Sequence, residues 1–580
     1  MKSTTMTKAL VTLFFAPFLS AQALAQSAHD PIPLDNLAKP AGKAAGGAAR
    51  APRTRSEAAG ARPKLVVLLV ADMFRLDYLS RYASDFGQGG FRRLLKDGAV
   101  WTGRYGHQNT YTAAGHALLA SGSYPYINGI MQNKWYNQTT KRVESMLSDP
   151  AARLLQGETT PEDETSPRNF NGSTIGDELR LTTPASKVVT LAIKDRGSIL
   201  LGGRMGQAYF MADATGDMIS STYYMPELPV WAQAFNARKL PQAAFGKTWE
   251  RLLPAERYSE PDNYRSEFDG KGMGRTFPHK LTGKLDKPGP DFYTMFTHSP
   301  FGLDYTFTFA QAALDGEQLG KRGVTDMLGV SITPTDISGH AFGPYSQEMH
   351  DMVLRVDQSL ATFLSDLDRR FKPGEVVVVF TADHGAVPMP EWSDEQKLSG
   401  VRMKKGTIKK AVEDALNAHF GQANWVAALE DPSIYLNREV IAQKKLDPAA
   451  VERIAGEAVL GLPGFLTYYT RTQLLNGWLP PTHLGQVVAR AYSPTRSGDV
   501  VTVMAPFAFW GKYAEKDWGT THGSPFRYDT DVPLIMMGKR FRPGYYGETD
   551  MVDLAATLAE VLGITAPAGC EGQPRSEALK

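Results

Sequence analysis

Leu65–Val70 (LVVLLV) is an unbroken apolar run of strand length, half of it β-branched. A strand with one wet face alternates apolar and polar residues. A run like this is stable only where both faces are covered, as in a parallel sheet held between helices. Similar runs recur at Val188–Ile193, Met327–Ile332, Val376–Phe380 and Leu534–Met537. Helical spacing separates several of them. The clearest case is Met349, Val353, Val356, Leu360, Phe363 and Leu367, after the start signal Pro344-Tyr345-Ser346. A second helix is expected from about Met551 to Leu562, stopped by Gly563. Strands alternating with helices predict an α/β fold: a doubly wound, mostly parallel sheet with helices on both faces.

Two stretches interrupt this alternation, at about 200–322 and about 388–480. The first is rich in aromatics, Pro and Gly; the second mixes an amphipathic segment (IKKAVEDALNAHF) with short strands. Both read as insertions on one core that shape the mouth of a site, and either also fits a small independent domain. The N-terminus carries Lys2 and Lys8, an apolar run Ala9–Leu19, and Ala23-Leu24-Ala25 before Gln26. That pattern predicts a cleaved signal peptide over 1–25, and the run, interrupted by Pro17, is too short for a membrane anchor. Residues 26–62, dominated by Ala, Gly, Pro and Arg, read as a flexible linker before a catalytic domain at 63–580. Removing residues 1–62 takes away eight basic and three acidic side chains and moves the net charge from +2 to −3. That balance gives no footprint for nucleic acid. Cys570 is the only cysteine, which excludes an internal disulfide framework and leaves little room for thiolate metal sites.

Polar residues gather where ligands gather in open α/β sheets, just past the strand ends. Asp72 follows the first run; Asp336 and His340 follow Met327–Ile332; Asp383 and His384 follow Val376–Phe380; His522 precedes the last run. Three carboxylates and three imidazoles match a binuclear site for zinc or a similar ion. The spacing Asp336 to His340 serves one ion if the segment turns as a helix, and Gly385 permits a bend that aims both Asp383 and His384 inward. Taken singly, each residue equally fits an N-cap, a turn or a solvated side chain; the set carries the argument.

Thr112 lies on a small-residue turn, TAAGH, ahead of Ala117–Ala120. A hydroxyl at a helix N-terminus sits near free amides and the positive end of the dipole. It could act as a nucleophile, although the segment alone favours Thr112 or Thr110 as a helix cap. His116 reads as a packing residue. Lys194 and Arg196, two apart where a strand ends, could clamp one anion if the segment is extended, or form a solvated cluster with Asp195. Asn133 could add a neutral donor.

In family order, VADMFRLDYLSRY, GGFRRLLKDGA, TAAGHALLASGSYP, AIKDRGSIL, TDISGHAFGP, ADHG and THGSPFRYDTDVPL resemble the alkaline phosphatase superfamily, and within it the monomeric threonine-nucleophile enzymes of the PafA/PhoK type. The resemblance covers about Lys64 to Leu562. Ala114 stands where the family motif often has Pro, a difference in a turn rather than a ligand. It implies two zinc ions per chain, one held by Asp336, His340 and His522, the other by Asp72, Asp383 and His384 with the Thr112 oxygen. It further implies Asn133, Lys194 and Arg196 on the phosphoryl oxygens, phosphate monoesters as substrates, a phosphothreonine intermediate, and a secreted or periplasmic monomer. Whether calcium or magnesium is also bound is left undecided. The main alternative is a phosphodiesterase or nucleotide pyrophosphatase of the same superfamily. The paired cations weigh against it, because a diester carries one phosphoryl charge fewer. A sulfatase would need a modifiable Cys in the core, and Cys570 lies outside it. A phosphoglycerate mutase would lack both the export signal and the cationic pair. An inactive metal-binding module is the alternative from another class.

Overall fold

The computed structural model describes residues 62–155 and 165–580. The expected signal peptide and all of the linker up to residue 61 lie outside them. Nine strands form the central sheet: β1 Leu65–Ala71, β2 Gly98–Arg104, β3 Val188–Ala192, β4 Gln207–Met211, β5 Met218–Ile219, β6 Asp326–Ile332, β7 Val376–Thr381, β8 Asp531–Met537 and β9 Gly544–Asp550. Their spatial order is β9-β2-β8-β7-β1-β6-β3-β4-β5. The central run from β7 through β1, β6 and β3 to β4 is parallel, and β2 and β9 pair in parallel at one edge. Antiparallel β8 joins these two parts, and β5 closes the other edge.

The first run reads as it does because β1 is the centre of the sheet. It pairs with β6 on one side and β7 on the other, and all seven of its residues are fully buried. Burying one such Leu or Val side chain contributes roughly 1.5–3 kcal/mol, so a polar residue here would be strongly destabilising. The helix expected after Pro344 runs over Gln347–Arg370. It is capped by Ser346, whose hydroxyl accepts from Met349 N–H at 3.1 Å, and it buries the expected apolar stripe. The last helix, Asp553–Leu562, ends at Gly563 with φ +61°, the left-handed conformation a helix stop favours.

The two interruptions differ in kind. Within 200–322, β4 and β5 join the central sheet, and Phe292, Leu303 and Phe309 belong to the main core. The later stretch builds a separate four-stranded sheet from Val426–Glu430, Ser433–Leu436, Phe465–Thr470 and Val500–Met504. That sheet has a core of its own, containing Ile408, Leu416, Trp425, Val451 and Trp510, so the unit continues past residue 480. Among the described residues no helix is long and apolar enough to cross a membrane.

Candidate active site

Every residue singled out at a strand end lies at the carboxyl edge of the sheet, beside its middle strands. Asp72 follows β1, and its amide donates to Ile332 O at 3.2 Å, which ties it to the end of β6. Asp336 and His340 lie on the helix Pro334–Phe342, which starts directly after β6 and places the two side chains one turn apart. Asp383 and His384 follow β7. Gly385 does not take a left-handed φ, so the expected bend is not why glycine stands there. A Cβ at Gly385 would lie 2.1 Å from Tyr528 O, and the Gly385 amide donates to Asp529 O at 2.7 Å. Close approach of two backbones requires the glycine.

The three imidazoles share one arrangement. Each donates Nδ1–H to a backbone carbonyl: His340 to Thr520 at 2.7 Å, His384 to Gly385 at 2.9 Å and His522 to Thr110 at 2.6 Å. Each therefore turns Nε2 toward the carboxylates. His384 Nε2 lies 3.3 Å from Asp72 Oδ1 and 3.4 Å from Asp383 Oδ2, and His340 and His522 lie 3.4 and 3.7 Å from Asp336 Oδ1. Two sets close tightly enough to share an ion, Asp72–Asp383–His384 and Asp336–His384–His522. His384 belongs to both, with its ring stacked on His522 at 3.6 Å. His340 borders the second set through Asp336 and forms a 5.1 Å ring contact with His522.

The donor set suits a metal. Asp72 Oδ1, Asp336 Oδ1 and Asp383 Oδ2 are buried without any hydrogen-bond donor, and a buried carboxylate oxygen left that way is costly. Burial raises the pKa of Asp72, and the charges of Asp336 and Asp383 raise it further. Burial works against a charge on His384, yet Asp383, Asp72 and Asp336 outweigh it and lift its pKa to about 9. This is a pocket of excess negative charge lined by imidazole nitrogens with fixed tautomers, the surroundings metal-binding histidines require. Carboxylate and imidazole are ligands for zinc-like ions.

Thr112 is the first residue of the helix Thr112–Ser121 and is 1% exposed. Its Oγ1 lies 3.5 Å from His384 Nε2 and 3.5 Å from Lys194 Nζ. It does not cap its helix: no side-chain cap bond forms there, while the Thr110 hydroxyl donates to Ser524 O. Asn133 Oδ1 accepts from Ala113 N–H at 3.1 Å, which places its amide beside Thr112. Lys194 and Arg196 are not alternate residues of an extended segment. The strand ends at Ala192 and a helix, Asp195–Gly202, begins with Lys194 as its N-cap, so the clamp geometry expected from extension does not apply. The Lys194 ammonium instead bridges Asp72, at 2.8 Å, and Asp336. Among the described residues the Arg196 guanidinium has a single ion pair, a 3.9 Å contact to Asp195.

His116 does more than pack. It is fully buried, donates from Nδ1 to Thr112 O at 2.8 Å, touches Asp383 Oδ2 at 3.1 Å, and meets Ser331 Oγ through Nε2 at 2.9 Å. The partners are 215 and more than 260 positions away, so the sequence around His116 carries no sign of this role. Gly115 has a similarly hidden constraint: a Cβ there would lie 2.3 Å from Asp383 O and 2.8 Å from Asp383 Cβ. Gly115→Ala is expected to push Asp383 out of place. The cost would be about 1–3 kcal/mol of stability and a loss of turnover of at least about tenfold, read by thermal unfolding and steady-state kinetics on the same sample.

Comparison with known proteins gives concordant findings. The family model for type I phosphodiesterase / nucleotide pyrophosphatase matches residues 66–525. A protein of Myroides odoratus named calcium-transporting ATPase is 36% identical over 90% of this chain and 95% of its own length. The alkaline phosphatase PafA of Elizabethkingia meningoseptica is 34% identical over 89% of this chain and 95% of its own. A crystal structure of wild-type alkaline phosphatase PafA superposes with a TM-score of 0.83 and 34% identity, covering 90% of this chain and 100% of that one.

Proposed function

Since the chain belongs to the type I phosphodiesterase / nucleotide pyrophosphatase family and, within the alkaline phosphatase superfamily, to the PafA type, we propose that it hydrolyses phosphate monoesters through a phosphothreonine formed at Thr112. The chain is a phosphatase. What carries the finer reading is the position of the Thr112 hydroxyl, buried at a helix N-terminus and bordered by an imidazole and an ammonium, in a site where one oxygen of each of Asp72, Asp336 and Asp383 has no donor.

In this reading two zinc ions are held, one by Asp336, His340 and His522 and one by Asp72, Asp383 and His384 with Thr112. Zinc, when bound, supplies positive charge against the reacting oxygens and lowers the pKa of a hydroxyl or water beside it. The chain's own residues do the rest. His116, bonded to the Thr112 carbonyl, and Asn133, bonded to the next amide, hold the nucleophile in place. Thr112 Oγ attacks phosphorus, and the alcohol oxygen leaves with its bonding pair and takes up a proton. Water then attacks the same phosphorus, which releases phosphate and restores the hydroxyl. Lys194, on a flexible stem beside Thr112, Arg196, a planar fork, and the side-chain N–H of Asn133 receive the non-bridging oxygens. Charge is spread over the transferring group, so positioning and electrostatics provide most of the acceleration. The proposal includes export directed by residues 1–25, action as a monomer, and no nucleic-acid partner.

Diesterase activity is the competing outcome, and one comparison decides between them. The purified, zinc-loaded protein is expected to cleave a chromogenic monoester far more efficiently than the matching diester. Arg196→Ala should lower monoester kcat/KM by the equivalent of about 2–4 kcal/mol, the scale of one oxyanion donor, and diester kcat/KM clearly less. Equal losses, or a diester preference in the parent, would overturn the monoesterase reading.

A further inference from the structure

Residues 511–519 form a loop fixed against the site. Thr520 N–H donates to His340 O at 2.9 Å, and His340 Nδ1 returns a bond to Thr520 O. A Cβ at Gly519 would lie 2.3 Å from His340 O, so no larger residue could let the backbone pass so close. From the other side, the Arg402 guanidinium donates to the carbonyls of Tyr513, Trp518 and Gly519 at 3.2, 3.3 and 2.6 Å, itself held by both oxygens of Glu391. The Tyr513 ring stacks on the His340 ring at 4.3 Å and 11°.

The loop's charges are sorted by side. Its acids turn away from the site: Asp517 pairs with Lys404 at 3.0 Å, and Glu515 accepts from Lys405 N–H at 2.6 Å. Its bases have no carboxylate. Lys512 Nζ lies 5.4 Å from the Tyr513 ring centre and Lys516 Nζ 4.6 Å from that of Trp518, and neither is in an ion pair among the described residues. Burial lowers the pKa of Lys512, and the charges of Lys516 and Arg196 lower it further while that of Asp336 raises it, which places Lys512 within electrostatic reach of both Lys516 and the site. Lys194, Arg196, Lys512 and Lys516 thus form a series from the site floor outward.

We propose that Lys512 and Lys516 form a second anion subsite, selecting phosphate monoesters whose alcohol carries a further carboxylate or phosphate. This rests on the function proposed above, in which Lys194 and Arg196 take the reacting phosphoryl group. The loop is seated on His340, of the set opposite Thr112, and an in-line displacement sends the alcohol to that side. An anion on the alcohol then meets two cations that are in no ion pair among the described residues and that lean on the Tyr513 and Trp518 rings at the mouth of the site.

The test uses two esters with one carbon skeleton, phosphoglycerate and glycerol phosphate, which differ by a carboxylate in place of a terminal hydroxymethyl. Lys512→Gln and Lys516→Gln are each expected to lower the phosphoglycerate-to-glycerol phosphate ratio of kcat/KM about threefold, the scale of one exposed charge contact, and the pair about tenfold. Lys512→Glu should lower it further. In the parent, added salt should reduce the same ratio, and in the double variant it should not. A ratio that all four variants leave unchanged overturns the subsite while leaving the phosphatase reading intact. A parent that cleaves neither ester overturns the function itself.

Discussion

Thr112→Ala is expected to reduce monoester turnover by about four orders of magnitude or more while the protein stays folded. The side chain is buried but makes no cap bond, and its two neighbours at 3.5 Å are partners in chemistry rather than in packing. Its loss therefore removes the group that would carry the phosphoryl intermediate and leaves the helix intact; alanine is the better helix former. Thr112→Ser should keep part of the activity, since only the β-methyl is lost. The direct check is an acid quench of the parent during turnover. Phosphate should appear on the peptide containing Thr112, and on no peptide of the alanine variant. A Thr112→Ala protein as active as the parent would end the assignment.

His384→Ala should have the second largest effect, and a broader one than loss of any other single ligand. His384 alone belongs to both tight sets, and its ring packs face to face with His522. In the proposed assignment it serves the ion beside Thr112, so removing it takes a nitrogen from that ion and the ring support from His522, a ligand of the other. The expected outcome is loss of metal, measured by elemental analysis after dialysis, together with loss of turnover of about a thousandfold or more. Chelator treatment of the parent should reproduce that loss, and returning zinc should restore the parent but not the variant. Undiminished metal content in the variant would show that His384 is not needed to hold the ions. Activity surviving chelation would remove metal from the mechanism.

The readable parts of this sequence are those whose chemistry is local. The runs at 65–70, 327–332 and 376–380 announced the sheet because residues buried on both faces have no alternative composition. The two strands at the far edge gave no such sign. Gly98–Arg104 has glycine at two of seven positions, and Gly544–Asp550 is largely polar and half-exposed. Asp72, Asp336, His340, Asp383 and His384 were visible because each follows its strand within a few residues, and His522 because it lies shortly before one. Residues whose role lies in a contact across the fold left no local trace. His116 reaches Asp383, and Tyr513 reaches His340, only after the chain has folded. The Lys194 and Arg196 pair was seen for its charge, but a helix beginning at Asp195, not an extended segment, sets where each points.

The central position of β1 also sets the order of events in the life of the molecule. The first strand made is the middle strand of the sheet, yet its partners begin at Asp326 and Val376, more than 250 residues later. Until those emerge, this wholly apolar segment has both edges open, a state prone to mispairing and aggregation. His522 arrives later still, close to the end, and the strand that follows it separates the two parallel parts of the sheet. Long sequence separations of this kind slow folding. A growing chain therefore has no assembled site to load or to act with until His522 has been made, and a factor that shields Leu65–Ala71 during synthesis should raise the yield of active protein more than one acting on the folded chain.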